Sequence, residues 1–269
     1  LDSVVVVDNH SSDDSWKLLR TLNGSGKVHA LRLEQNGGYG MGNQEGINYA
    51  VSCLEADYVI IANPDIHVTP RCIRRVKDAL DKTQGAVAAS ARVKDPMGGE
   101  LFSYWTLLPL WKDLLDTGLV TRRLFKAMLN TPSYRLAYAG DEDCRLVDAV
   151  PGSFFMLKTG ILTPGEIKEV FDKHIFLYYE EKVLGQKFRK MGLKTVLVTD
   201  ESYVHAHSVS IDKSFKRIVD KQRLLHRSKL YYYKEYLGTG PAGMAAARAV
   251  LGLVLAEVWF LTVVCRMRW

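Results

Sequence analysis

A buried strand that runs straight into a carboxylate constrains this chain more than any other stretch. Tyr58–Val68, YVIIANPDIHV, opens on an apolar β-branched run (Val59, Ile60, Ile61), turns at a proline flanked by Asn63 and Asp65, and resumes as a short extended piece. In an open α/β sheet, ligand chemistry gathers outside the carboxyl ends of such strands. Asp65 is therefore a candidate metal ligand. Taken alone, Asn-Pro-Asp reads first as a strand-ending Asx turn.

The neighbouring segments alternate in the same way. Ser3–Val7 is an apolar strand that ends in the polar run Asp8–Ser15, which supplies capping residues for a helix over about 16–22. Val28–Leu33 is a second strand. Asn36-Gly37-Gly38-Tyr39-Gly40-Met41-Gly42-Asn43 then leads into a helix to about Leu54. Glycine at every other position implies close backbone approach, and a Gly-rich helix entry presents free N–H groups to an anion. A bland tight connection reads equally well, since the spacing is not that of a P-loop. A helix over Pro70–Lys82 and a strand over Ala86–Val93 follow. This alternation predicts a mostly parallel, doubly wound sheet.

Beyond residue 94 the pattern changes. Phe102, Tyr104, Trp105, Leu107, Leu108, Leu110, Trp111, Leu114 and Leu115 include a helical period that reads as core, while the rest could line an acceptor groove. Asp141-Glu142-Asp143 reads as a solvated loop. Asp148–Leu157 returns to strand. Phe176–Tyr179 runs into Glu180-Glu181 at the start of a helix to about Met191, where acids suit the macrodipole. As a functional site, one of these carboxylates turns into a cleft as general base. Thr195–Val198 is a strand, and Tyr203, His205 and His207 alternate on an extended stretch. The two histidines thus share a face, either as surface residues or as partners of Asp65 at a Mn²⁺-like ion.

At 269 residues, 47% hydrophobic and 25% charged, the chain can bury a large core. Its four cysteines show no CxxC pair, which suits reduced thiols and a cytosolic face. Leu1–Val7 is too short for a signal peptide. The +6 net charge concentrates late, with eight Lys/Arg against three Asp/Glu in Ile211–Tyr236. Ala242–Cys265 is apolar but interrupted by Arg248 and Glu257 on opposite helix faces. With the basic, tyrosine-rich stretch before it (Tyr231, Tyr232, Tyr233, Tyr236), this tail suggests peripheral contact with an anionic bilayer, or packing on the core or a partner subunit. Consecutive tyrosines present no single stacking face, which argues against nucleic acid.

In order, VVVVDNHSSD, QNGGYGMGNQEGI, VIIANPDI, DPMGGEL, VDAVPGSFFM, FLYYEEKVLGQKFRKMG and VHAHSVS resemble the inverting family 2 glycosyltransferases of GT-A fold, most closely a rhamnosyltransferase-like branch. The similarity spans about Ser3–Ser210, and RSKLYYYKEYLG also resembles that branch. It implies inverting sugar transfer from a dTDP- or UDP-sugar to a cell-envelope or lipid-linked glycan, assisted by Mg²⁺ or Mn²⁺. Asp8 and Asn9 match the positions that meet the nucleotide base. Asn36, Gly38 and Asn43 match the loop beside it, and Asn63 with Asp65 the metal-binding motif. Glu181 falls where the family places its catalytic aspartate, one methylene longer here, and Glu180 competes for the role.

The family normally has a strand and helix before the VDN motif, where this sequence starts, so the resemblance implies either a fragment or the loss of that unit, which would remove part of the donor-pocket wall. That motivates a second expectation, a catalytically degraded binding or scaffold subunit. The sequence divides as a transferase domain over 1–236 and an apolar helical tail over 237–269, peripheral to the inner face of the plasma membrane.

Overall fold

A computed structural model describes residues 1–24, 26–125, 129, 143–162, 169–206 and 217–266. The β-branched run Val4–Asp8 (β1) pairs in parallel with Val28–Arg32 (β2), and Ser15–Leu22 (α1) connects them. The Gly-rich stretch opens Gly38–Ser52 (α2), which packs on β1. Tyr58–Ala62 (β3) stops at the Asn-Pro-Asp turn, and Ile66–His67 (β4) is the short piece after it. Pro70–Lys82 (α3) starts where expected, because Thr69 Oγ1 accepts the Cys72 N–H at 3.1 Å and Pro70 occupies a first-turn site. Ala86–Lys94 (β5) follows.

Leu110–Thr117 (α4) and Leu119–Leu124 (α5) occupy part of the middle segment. Cys144–Val147 (β6), Phe154–Lys158 (β7), Glu180–Lys190 (α6) and Lys194–His205 (β8) complete the sheet and its cover. Ile218–Glu235 (α7) and Pro241–Trp259 (α8) form a helical layer behind α6.

The α/β class with a helix-flanked central sheet holds, with strands ordered β3-β7-β5-β8-β4 and β6 beside β8. Its directions differ from the expected parallel majority. Only β5 and β8 pair in parallel in this sheet among the described residues, while β7, β4 and β6 run antiparallel to their neighbours. The cause is topological. The chain leaves β5 at its carboxyl end and enters β7 at that same end, so β7 must run back against β5.

Both faces of the sheet are covered, which explains strands that are apolar throughout. Val59, Ile61, Phe155, Leu157 and Leu197 point to a core shared with α2 and α6, whereas Phe154, Met156, Val196 and Val198 point to α3. From the middle stretch, Leu107 and Leu114 are buried in the core while Trp111 is half exposed. Of the acidic loop, Asp143 is exposed and pairs with Arg75 at 3.6 Å; residues 141 and 142 lie outside the described ones.

The tyrosine-rich stretch corrects an expectation. Tyr232 and Tyr233 are fully buried, and Tyr231 and Tyr236 both donate to Asp172 at 2.9 and 2.7 Å, so these rings serve the interior. The tail helix α8 buries one stripe, Met244, Ala247, Leu251, Val254 and Val258, against the helical layer. Fully burying an aliphatic side chain contributes about 1.5–3 kcal/mol, so this stripe suffices to hold the helix. Arg248 points outward, and Glu257 turns in to accept the Leu119 and Val120 N–H groups, both at 3.2 Å, at the start of α5. Through its π-helical end the segment Pro241–Val264 is long and apolar enough to cross a membrane, and 22% of its most apolar window is buried.

The seating of α6 depends on Gly185, where an added Cβ would sit 2.5 Å from the Asp148 carbonyl oxygen. Gly185→Ala is expected to lower unfolding free energy by about 1–3 kcal/mol despite better helix propensity. Gly252→Ala, at a helical position open to solvent, is expected to raise it by about 0.5–1 kcal/mol. Urea titration of both variants measures the contrast.

Candidate active site

Four segments far apart in sequence meet at one peptide, Gly152-Ser153, just before β7. The Gly152 N–H donates to Glu181 Oε1 at 3.3 Å, and its carbonyl accepts the Tyr39 hydroxyl at 2.6 Å. The Ser153 carbonyl accepts the Asn63 N–H at 2.9 Å, and Ser153 Oγ meets the Tyr203 hydroxyl at 2.7 Å. The glycine-rich loop, the Asn-Pro-Asp turn, the β8 end and the head of α6 thus share a junction. A side chain on Gly152 would meet the Tyr39 hydroxyl at 2.8 Å, so glycine is required by close approach.

The loop is tied to β1 by Asn9, whose amide donates to the Gly38 carbonyl at 2.7 Å and to Asn36 Oδ1 at 3.1 Å. Asn36 Oδ1 also accepts the Gly38 N–H at 3.0 Å. Gly38 has φ +86°, and a Cβ there would lie 2.0 Å from the Phe176 carbonyl oxygen, so the loop is pressed against the segment leading to α6. Asn43 donates to the Tyr39 carbonyl at 2.9 Å. Asp8 is buried; its Oδ1 accepts the Ser11 N–H at 3.1 Å and its Oδ2 faces Arg32 Nε at 3.3 Å. Asp8 is thus buried, Asn9 half-buried and Asn36 exposed, and the two asparagines hold the loop to β1.

Asp65 and His205 come together as neighbours across β4 and β8. Asp65 Oδ1 is 3.3 Å from His205 Nε2, and the Asp65 carbonyl accepts the Ala206 N–H at 2.9 Å. That buried carboxylate oxygen accepts no hydrogen bond. An oxygen without a proton donor beside an imidazole nitrogen is a donor pair that suits Mg²⁺ or Mn²⁺, which commonly take few protein ligands and complete their shell with phosphate and water. The residues fit such an ion. No group of three metal-ligating side chains converges among the described residues. His207 lies outside them.

Glu180 and Glu181 leave the first turn of α6. Burial, and after it the Glu181 charge, push the Glu180 carboxyl well above the ordinary glutamate range. Its Oε1 is buried without a hydrogen bond. Glu181 is half-buried, and burial also raises its carboxyl, against the pull of its own and the Gly152 N–H and of Lys182. Glu181 borders a void of about 10 Å³ with Gly152, Phe171 and Leu184. A larger cleft of about 380 Å³ lies at the other end of α6, by Tyr104, Arg189 and Lys194.

Sequence reasoning treated Tyr39, Gly152, Ser153 and Tyr203 as loop or strand residues. The one signal available was a glycine beside a proline ahead of an apolar run.

The raised Glu180 carboxyl has a stability consequence. The folded state binds a proton that the unfolded chain releases, so stability falls as pH rises from the ordinary glutamate range toward the raised value. Glu180→Gln is expected to remove that slope and raise the neutral-pH melting midpoint by ~2–4 °C, the shift about 1 kcal/mol gives in a chain near this size. Calorimetry between pH 5 and 8 measures it.

Comparisons with known proteins bear on the family and the fold. The family model described as "Glycosyl transferase family 2" matches residues 1–137, half of the chain. Among curated proteins, the low-salt glycan biosynthesis hexosyltransferase Agl10 of Haloferax volcanii is 28% identical over 179 residues, covering 66% of this chain and 50% of that protein. The chain thus spans about half the length of that relative. Among solved structures, GalNAc-T7 with UDP, GalNAc and Mn²⁺ is similar at a TM-score of 0.52 and 14% identity, over 98% of this chain and 51% of that one. S. aureus TarS 1-349 in complex with UDP-GlcNAc is similar at 0.50 and 15%, over 96% and 63%. At these identities the likeness is one of fold. The family match over half the sequence is decisive, and the chain belongs to the family 2 glycosyltransferases.

Proposed function

We propose that this chain is a metal-assisted, inverting hexosyltransferase that takes a dTDP- or UDP-sugar and extends a cell-envelope or lipid-linked glycan. The observation that carries the reading is the junction at Gly152-Ser153, to which the glycine-rich loop, the Asn-Pro-Asp turn and the head of α6 all bond. Asp8, Asn9, Asn36, Gly38, Asn43 and Asn63 form the donor wall. Asp65, with His205 and His207, would hold Mg²⁺ or Mn²⁺, which offsets charge on the departing diphosphate. Glu181 takes the acceptor hydroxyl's proton, because its carboxylate faces the junction while that of Glu180 is buried, with no hydrogen bond on Oε1. Rhamnose is favoured as the sugar by motif resemblance.

Residues 1–236 act as the transferase unit and 237–269 as a membrane-facing tail, at the inner face of the plasma membrane. Support comes from the outward face of α8, where Ala245, Ala249, Gly252 and the exposed Leu253, Trp259 and Phe260 surround Arg248. With Glu257 engaged at α5, the helix lies on a bilayer more readily than across it. Leu253→Asp with Trp259→Asp is expected to abolish co-flotation with anionic vesicles and leave nucleotide binding intact. Loss of a dimer in sedimentation, with vesicle binding unchanged, would instead assign the face to a second copy of the chain.

The chemistry is tested with UDP, dTDP and a panel of their sugars. Mn²⁺-dependent thermal stabilisation by the diphosphates and slow donor hydrolysis are expected. Asp65→Ala should abolish the metal-dependent part. Glu181→Gln should keep binding and lower transfer by about 10²–10⁴-fold, the range for loss of a general base. A base works deprotonated, so the rate is expected to fall with falling pH through the raised Glu181 value, at higher pH than for an ordinary glutamate. Absence of both nucleotide responses would favour a non-catalytic scaffold subunit.

A further inference from the structure

The two residues that lead into α6 both adopt left-handed backbone, Tyr178 at φ 70° and Tyr179 at φ 75°. Consecutive non-glycine residues in this region are unfavourable, and they persist only where the surroundings over-determine them. A side chain from another helix grips the second of these residues. Asp113, on α4 and 1% exposed, accepts the Tyr179 hydroxyl at 2.5 Å. It also accepts Lys182 Nζ, Lys229 Nζ at 3.0 Å and the Tyr233 hydroxyl at 2.6 Å. Lys182 and Lys229 lie over the Tyr179 ring at 4.5 and 5.1 Å, and Lys229 also donates to Thr117. One step earlier, Ser228 donates to the Leu177 carbonyl at 2.7 Å.

A buried ion network is weak evidence of stability, since desolvation offsets most of its attraction. Its location is more informative. Tyr179 and Lys182 bracket Glu180 and Glu181 in sequence, so the anchors of the network flank the carboxylate pair on both sides. Burial works against ionising Asp113, but Lys229 and Lys182 outweigh it and hold the carboxyl below its ordinary range.

We propose that Asp113 is a positioning residue for the carboxylate pair: by clamping Tyr179 and Lys182 from α4, it fixes the left-handed Tyr178–Tyr179 turn and with it the direction in which Glu180 and Glu181 leave α6. The inference rests on the reading of Glu181 as the base. Asp113 touches neither substrate nor reacting atoms; it acts through the turn.

The test uses the full chain with Asp113→Asn and Tyr179→Phe, the second removing one hydroxyl and keeping the ring. Backbone couplings in labelled protein report the φ of Tyr178 and Tyr179, and UDP with Mn²⁺ reports binding. Turnover is followed on the nucleotide-sugar that the wild-type chain hydrolyses fastest. Both variants are expected to bind UDP within about twofold of wild type and to lose the positive φ values. Their kcat should fall by about 10²-fold with KM little changed, the loss that a misplacement of ~1 Å produces. Should Asp113→Asn fail to fold, Tyr179→Phe carries the same expectation. An unaltered turn, or an altered turn with wild-type kcat, overturns the proposal. If the wild-type chain turns over no donor, the transferase reading fails by itself, and the couplings alone decide whether Asp113 holds the turn.

Discussion

Two adjacent carboxylates, one buried and one half-buried, at the head of one helix are costly to place, and the surrounding contacts bear on that cost. An ionised carboxylate in a low-dielectric interior needs partners or a proton. Glu181 receives the Gly152 N–H, the favourable end of the α6 dipole and the nearby Lys182 charge. Glu180 has a buried oxygen without a hydrogen bond, and burial together with the Glu181 charge pushes its carboxyl well above the ordinary range. Both carboxyls are raised, Glu180 the more strongly, because the Gly152 N–H and Lys182 pull only on Glu181.

The reversed direction of β7 has a role in this arrangement. In a parallel sheet, residues that precede a strand lie at the amino end, away from the ligand side. Because β7 runs backwards, Pro151, Gly152 and Ser153 arrive at the carboxyl ends of β3 and β5, level with Asn63. The antiparallel strand, which the alternation of elements did not foretell, is what carries the junction to the site.

Much of this was legible in the residues. The strands ending in Asp8 and in Asn-Pro-Asp, the proline-started α3 and the Gly-rich entry to α2 follow from local chemistry, and all formed near the expected positions. The alternation of His205 and His207 set the histidines beside Asp65; His205 does lie 3.3 Å from it, and His207 falls outside the described residues. What stayed hidden depends on long-range contact. The tyrosines of α7 resemble a membrane belt in composition but face Asp113 and Asp172 inside the fold. Asp113 looks like one acid on an ordinary amphipathic helix until Tyr179, Lys182, Lys229 and Tyr233 converge on it.

The Gly152-Ser153 junction is built largely from peptide N–H and carbonyl groups. Point substitution can remove the Tyr39 hydroxyl or the Glu181 carboxylate, yet it leaves the main-chain atoms they reach for and the Asn63 N–H in place. The one link that is main chain on both sides, Asn63 N–H to Ser153, therefore outlasts any change of side chain, and with it the seat of the Asn-Pro-Asp turn against β7.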